Sequence, residues 1–423
     1  MESPPLTPAS SERPPPLPSR LLDAFPAAGP SRLGWLDGLR GVAALAVVFD
    51  HSSYTFMPDF RRELMPHVNT GRYGVLVFFL VSGYVIPRSL ERRGCVRTFW
   101  IGRIFRVYPL CAAVVAVLLA LHALGAAELR DVGPHSAGTV ALAHLTLLQE
   151  LLGTPSLLLV LWTLSYEMAF YLLVVALFTT RLHRRSPAAA ITLALLAAGS
   201  VVAGVALPAS ALSGLFGTGP VIAVAAVTMA AAVCCASGRS APLRTFGGVL
   251  GGVLALALVA LNGTIPLWEG LVMLAVMFLG TAVHRAENGQ GTWRFTAGTA
   301  VVVIACAVGS AYWYGDGDHF TRRGWISAFL LAVLTFGIGL AVRGRSLPRV
   351  VTGLGTISYS LYLVHPVLLT VIDSTVGRRR QDDLVLEAAF VTVLLPLCLL
   401  TYRCIEAPCQ TWGRSLARRT RLS

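Results

Sequence analysis

Residues 36–53 read LDGLRGVAALAVVFDHSS, an apolar run with Arg40 near one end and Asp50 and His51 near the other. Carried on to residue 56 it has the length a helix needs to cross a bilayer, about 20 mostly apolar residues. Further stretches of that kind follow at 72–90, 106–125, 157–180, 187–208, 219–237, 244–262, 267–284, 296–314, 325–342, 353–372 and 384–404. The stretch 137–152 is shorter, carries His144, Gln149 and Glu150, and reads as interfacial or re-entrant. Of the 423 residues, 55% are hydrophobic and 13% charged, with a mean hydropathy of +0.69. A soluble domain has about 45–50% apolar and about 25% charged residues. A soluble enzyme is therefore excluded. The expected fold is all-α, a polytopic membrane bundle of about 10–12 transmembrane helices.

The formal charge of +13 comes from 34 basic residues against 21 acidic ones, and every basic residue is Arg. A nucleic-acid partner would suit the sign of the charge but not its placement, because the Arg residues stand in short clusters between apolar runs. With the N-terminus in the cytoplasm, 25 of the 34 Arg fall on the inner side. The other nine, Arg61, Arg62, Arg72, Arg130, Arg322, Arg323 and Arg378 to Arg380, fall outside among about as many acids. Both termini are thus expected in the cytoplasm. Residues 1–35, rich in Pro and Ser, read as a disordered arm with no cleavable signal peptide. A membrane domain then spans 36–404, and a basic cytoplasmic tail 405–423. The eight Cys form no CxxC pair and read as small buried hydrophobes rather than metal ligands or a disulfide framework. High Ala, Arg and Gly without Lys suggests a GC-rich bacterial genome, and hence the cell membrane of a bacterium.

An ionisable side chain inside a bilayer marks either a function or a buried pair. Arg40 and His51 are eleven residues apart, three helical turns, so they share one face about 16 Å apart along the axis. His51 is either a buried imidazole donating to a carbonyl or a general base held in a cavity. Asp50 lies about 100° around the helix from it and need not touch it. In LWTLSYEMAFYLL, Glu167 stands in mid-membrane beside Ser165 and Tyr166. It either orients His51, as carboxylates orient catalytic imidazoles, or pairs with an Arg. In PRSLERRGCVRTFWIGRIFRVYP, Arg103 and Arg106 stand at i and i+3 and project together. Such a pair suits phosphate oxygens, though the cluster is also an insertion signal. Gly71, Gly74 and Gly83, with Ser82, read as a close-packing surface. His365, just before Pro366, reads first as structural, bound to a carbonyl of a kinked helix.

Six segments together resemble the acyltransferase-3 family of integral-membrane O-acyltransferases. They are LDGLRGVAALAVVFDH, FFLVSGYVI, FWIGRIFRVYP, LWTLSYE, LGTISYSLYLVHP and the closing IEAP, in family order from residue 36 to 408. The resemblance implies acyl-CoA as a co-substrate reached from the cytoplasm, with no bound cofactor or metal. It implies as acceptor a hydroxyl of a sugar, glycan, lipid or secondary metabolite. By the same resemblance His51 is the base and Glu167 the family's membrane-embedded Glu; Asp50, beside His51, is a further catalytic candidate. Arg103 and Arg106 would bind the CoA phosphates, and Arg40 would either stand at the same mouth or hold the helix in register; Ser82 and Tyr166 are further candidates for lining the substrate site. Two positions depart from the family pattern: Asp50 replaces an apolar or aromatic residue, and Met168 replaces a second acid after Glu167. The competing reading is a multi-span secondary transporter of a small metabolite. Such transporters are built from internal repeats. Here the polar residues instead gather in the first four and last two spans.

Overall fold

The computed structural model describes residues 34–422 apart from 132, 134, 206 and 318–320. The arm expected over 1–35 lies outside the described residues, except that Gly34 and Trp35 already open the first helix. Every regular element among the described residues is helical. In chain order they are α1 (Gly34–Phe56), α2 (Pro58–Leu64), α3 (Thr70–Arg93), α4 (Val96–Ala123), α5 (Ala137–Thr146), α6 (Trp162–Thr179), α7 (Ser186–Val202) and α8 (Ala211–Phe216). Then follow α9 (Thr218–Ala236), α10 (Ala241–Leu261), α11 (Leu267–Glu287), α12 (Trp293–Tyr314), α13 (Arg322–Ala341), α14 (Arg349–Thr356), α15 (Ser358–Thr375), α16 (Leu384–Thr401) and α17 (Ala407–Leu422).

Among the described residues ten helices are long and apolar enough to cross a membrane, α1 not being one of them, and the bent pair α14 and α15 makes eleven. The first helix is 23 residues long, about 34 Å at 1.5 Å per residue. It fits the span expected over 36–56, and Asp37, Arg40, Asp50 and His51 are what lower its hydropathy. The chain is a polytopic membrane helical bundle. Among its spans α11 is almost wholly buried, packed on α3 and α7, while α1 packs on α3, α14 and α15.

Close packing of apolar helices in a bilayer depends on small residues that let backbones approach. A Cβ on Gly83 would collide with the carbonyl of Met277, and one on Gly280 with that of Leu80, so α3 and α11 lie backbone against backbone. Gly74 meets the carbonyl of Ala43 in the same way, fixing α3 against α1. The expected small-residue surface is therefore present, but Ser82 turns away from it into a cleft.

Several boundaries differ from the sequence reading. The third span begins at Val96, ten residues before the expected 106, so Arg97, Arg103 and Arg106 stand on helix rather than loop. An apolar window alone misses these nearly three turns because charged side chains at a helix end can lie along its surface. The stretch 137–152 folds into α5 and a 3₁₀ turn, Gln149–Leu152, with Gln149 buried and bonded to Ser156 and the carbonyl of Leu161. The penultimate span bends by 66° between Thr356 and Ser358, not at Pro366. The segment read as a tail continues α16 through a π turn, Tyr402–Glu406, into α17, which packs on α4. Of the cysteines, Cys111 and Cys398 are buried as expected, whereas Cys234 and Cys404 are exposed on the flanks of the bundle.

Candidate active site

Four helices, α1, α3, α4 and α6, bring Arg40, Ser82, Arg103, Arg106 and Glu167 into one cleft, and α15 closes it. Its cavity volume is about 70 Å³, and its walls are completed by Phe78, Phe79, Thr163, Ser358, Tyr359 and Tyr362. Position on the helices explains the convergence. Arg103 and Arg106 are one turn apart on α4, so one face presents both guanidinium groups. Ser358 and Tyr362 are one turn apart on α15, with His365 a turn further along.

Within the cleft the charged side chains are held by their neighbours. Arg103 is only 9% exposed and lies over the rings of Phe99, at 5.3 Å from the centroid, and Tyr171, at 5.4 Å. Tyr171 in turn donates its hydroxyl proton to Glu167. Arg40 reaches Asp37 at 3.8 Å. Glu406, of the closing IEAP segment, accepts from Ser360 and Gln410 at 3.0 Å each and lies in electrostatic reach of Arg106 and Arg40. Three arginines thus stand among three acidic side chains, Glu167, Glu406 and the part-exposed Asp37, at the end of the bundle where α1 begins.

His51 does not line this cleft. It sits beyond Tyr362, where its Nδ1 lies 2.8 Å from Nε2 of His365 and the two ring planes are within 21°. The ring of Tyr362 meets that of His365 edge-on at 6.3 Å, so Tyr362 links the cleft to the imidazole pair. His365 is wholly buried, and its Nδ1 donates to the carbonyl of Leu361 at 2.7 Å. The carbonyl bond expected of His365 is thus present, and the same ring is also the partner of His51.

The structure separates two residues that the sequence reading associated with His51. Glu167 belongs to the arginine cleft, bonded to Tyr171, and it is not bonded to His51. Asp50 does approach it, with Oδ2 at 3.9 Å from His51 Nε2. The bonds of Asp50, however, go to Thr70, at 3.0 Å, and Arg61, at 3.2 Å, both to Oδ1. Tyr166, read as lining the substrate site, points the other way: its ring packs on Gly270 and Gly263, and it is fully buried outside the cleft. Neighbours on a helix diverge by about 100°, and here Glu167 takes the cleft side of α6 and Tyr166 the side toward α11.

Residues that the sequence reading passed over include Thr163, Tyr359 and Tyr362. The hydroxyls of Thr163 and Tyr362 are 2.6 Å apart, and Tyr359 donates to the carbonyl of Val107 at 2.7 Å. The signal was present in ISYSLYLVHP, whose Ser358, Tyr362 and His365 fall at i, i+4 and i+7 on one face. Also passed over is a buried ion pair. Glu269 is 1% exposed, binds Arg72 Nε at 2.8 Å and accepts from Trp325 Nε1 at 2.9 Å. It ties α11 to α3 and α13 at the end opposite the arginine cleft.

Comparison with known proteins bears on this site. The family model described as "Acyltransferase domain" (Acyl_transf_3) matches residues 33–403. The acyltransferase MdmB of Streptomyces mycarofaciens is 36% identical over 154 residues, which are 33% of this chain and 38% of the relative. The chain therefore spans well under half the length of this curated relative. No solved structure matches. With the matched region covering every helix from α1 to α16, the chain belongs to the acyltransferase-3 family.

Proposed function

We propose that this protein transfers an acyl group from acyl-CoA to a hydroxyl of a sugar, glycan, lipid or secondary metabolite, with His51 as general base. The observation that carries the reading is the joining of an arginine cleft to a buried imidazole through Tyr362. A CoA thioester is a large polyanion made in the cytoplasm. Arg40, Arg103 and Arg106 meet its phosphates at the basic end of the bundle, which the distribution of Arg assigns to the cytoplasm together with both termini. Its pantetheine arm spans the distance of about 16 Å that separates Arg40 from His51 on one helix.

In the reaction the acceptor hydroxyl gives its proton to the imidazole of His51 as its oxygen attacks the thioester carbonyl. The carbon–sulfur bond breaks, CoA leaves as a thiolate that takes up a proton, and the product is an ester. A water-poor site favours transfer over hydrolysis. The membrane is that of a bacterial cell, and no bound cofactor is required by these steps.

The test is CoA release by membranes holding the protein, supplied with labelled acyl-CoAs and a hydroxyl acceptor panel. Turnover should be lost, by about 10²- to 10⁴-fold, in His51→Ala at unchanged protein level. Equal and substantial turnover by the two proteins would refute the assignment of the base.

A further inference from the structure

We infer that His365 is a positioning residue that sets the tautomer of His51, so that the catalytic lone pair is on Nε2 and faces Asp50. The inference rests on the reading of His51 as the base. The geometry permits one assignment of the protons when both rings are neutral. The carbonyl of Leu361 can only accept, so the Nδ1 of His365, 2.7 Å away, carries that ring's proton. Its Nε2 is then a bare acceptor. The nearest nitrogen of His51 is Nδ1, at 2.8 Å, and this nitrogen must donate. The second ring's proton is thereby placed on Nδ1, and Nε2 of His51 is left with its lone pair.

Asp50 shows why such a device is needed. Its Oδ2 is 3.9 Å from Nε2 of His51. A carboxylate there, acting alone, draws the imidazole proton onto Nε2 and leaves the lone pair on the nitrogen that points into α15. The bond to His365 opposes that pull before reaction. Once Nε2 has taken the acceptor's proton, the ring carries N–H on both sides. The Nδ1–H remains bonded to His365, and the new Nε2–H faces Asp50, which becomes the counter-charge of the imidazolium. The carboxylate is held in place by Thr70 and Arg61 through its other oxygen.

Among the described residues the ionisable groups about the pair are Asp50 and Arg61, Tyr362 on the cleft side, and two carboxyls engaged elsewhere. Glu387 of α16 accepts from Ser52 at 2.6 Å, and Asp373 of α15 accepts from Thr55 at 2.8 Å. Each binds a neighbour of His51 on α1 rather than the ring. The register of α15 is fixed by its own contacts at Tyr359 and Tyr362, so the His365 ring is delivered by a rigid element.

The experiment compares His365→Leu, His365→Gln and His51→Ala with the full-length protein in nanodiscs. Gln offers an amide oxygen near the position of the lost Nε2 and still accepts from Nδ1 of His51, whereas Leu offers nothing. His365→Leu should lower kcat by about 10²- to 10⁴-fold, the range spanned by general-base and tautomer defects, with both KM values within about threefold. His365→Gln should keep kcat within about tenfold, and its pH–rate profile should retain the limb that reports His51. In parallel, ¹⁵N-histidine spectra of the unmodified protein, assigned by difference against a folded His51→Ala, should show the Nε2 of His51 unprotonated; this readout does not depend on turnover. A His365→Leu protein within threefold of wild type would overturn the inference, as would a folded His365→Gln as inactive as His365→Leu, or a protonated Nε2 on His51. Should His51→Ala itself retain turnover, the reading of the base fails instead, and the two failures are distinguishable.

Discussion

Replacing Arg103 with Met keeps the aliphatic stem and removes the charge, and it isolates the role of the arginine cleft. The guanidinium is already ordered before any donor arrives. It is 9% exposed and held between the rings of Phe99 and Tyr171. Little side-chain entropy is then lost on binding a phosphate, so most of a charge-assisted hydrogen bond reaches the affinity. Such bonds contribute about 1.5–3 kcal/mol, equivalent to a rise in donor KM of about 10- to 150-fold at RT of about 0.59 kcal/mol. The phosphates lie far from the reacting carbonyl, so binding is lost equally from ground and transition state and kcat should not change. Arg106→Met should act in the same direction, and the double variant should fall short of the sum because the two residues are neighbours on one helix turn. The assay is initial-rate CoA release across a donor titration, repeated with a donor lacking the 3′-phosphate to locate the contact. If both single variants, properly inserted, leave donor KM within twofold of wild type, or if acceptor KM rises instead, the cleft does not bind the donor.

Glu167→Gln should alter donor KM without moving the His51 limb of the pH–rate profile, because Glu167 is bonded to Tyr171 and not to His51; a moved limb would restore it as the orienting carboxylate. Arg72→Leu leaves Glu269 buried with only Trp325 as partner and should cost about 3–5 kcal/mol, read as a lower unfolding midpoint in nanodiscs. Adding Glu269→Leu should recover part of that loss, and a double variant no better than the sum of the singles would refute the pairing. Gly83→Val drives a side chain into the Met277 carbonyl and should cost about 1–3 kcal/mol by separating α3 from α11, measured in the same unfolding assay.

The spans were legible because the period of a membrane is imposed by its thickness. Each apolar run of about 20 residues must become a helix, since only a helix satisfies its own backbone in lipid. The expected spans accordingly each hold helix, that over 353–372 as the bent pair α14 and α15. What hydropathy misjudged were the charged helix ends, such as the first ten residues of α4, and the bend at Ile357, which carries no Pro. The arginine cleft was partly legible for a related reason. Charge is costly in a bilayer, so Arg40, Arg103, Arg106 and Glu167 stood out against their apolar neighbours without any structure.

The sequence by itself determined the class of molecule, the order of its apolar segments, and the side chains too polar to be there without purpose. Those follow from local composition, which a bilayer reads one helix at a time. The tertiary structure alone decided which of those side chains meet. His51 and His365 are 314 residues apart in the chain and 2.8 Å apart in space, and nothing in either segment announces the other. It parted Glu167 from His51, turned Tyr166 out of the cleft, and joined Arg72 to Glu269. These pairings depend on the rotation of each helix about its own axis, and that rotation is set by packing such as Gly83 on Met277 and Gly74 on Ala43. A helix read alone has no preferred azimuth, and only its neighbours supply one.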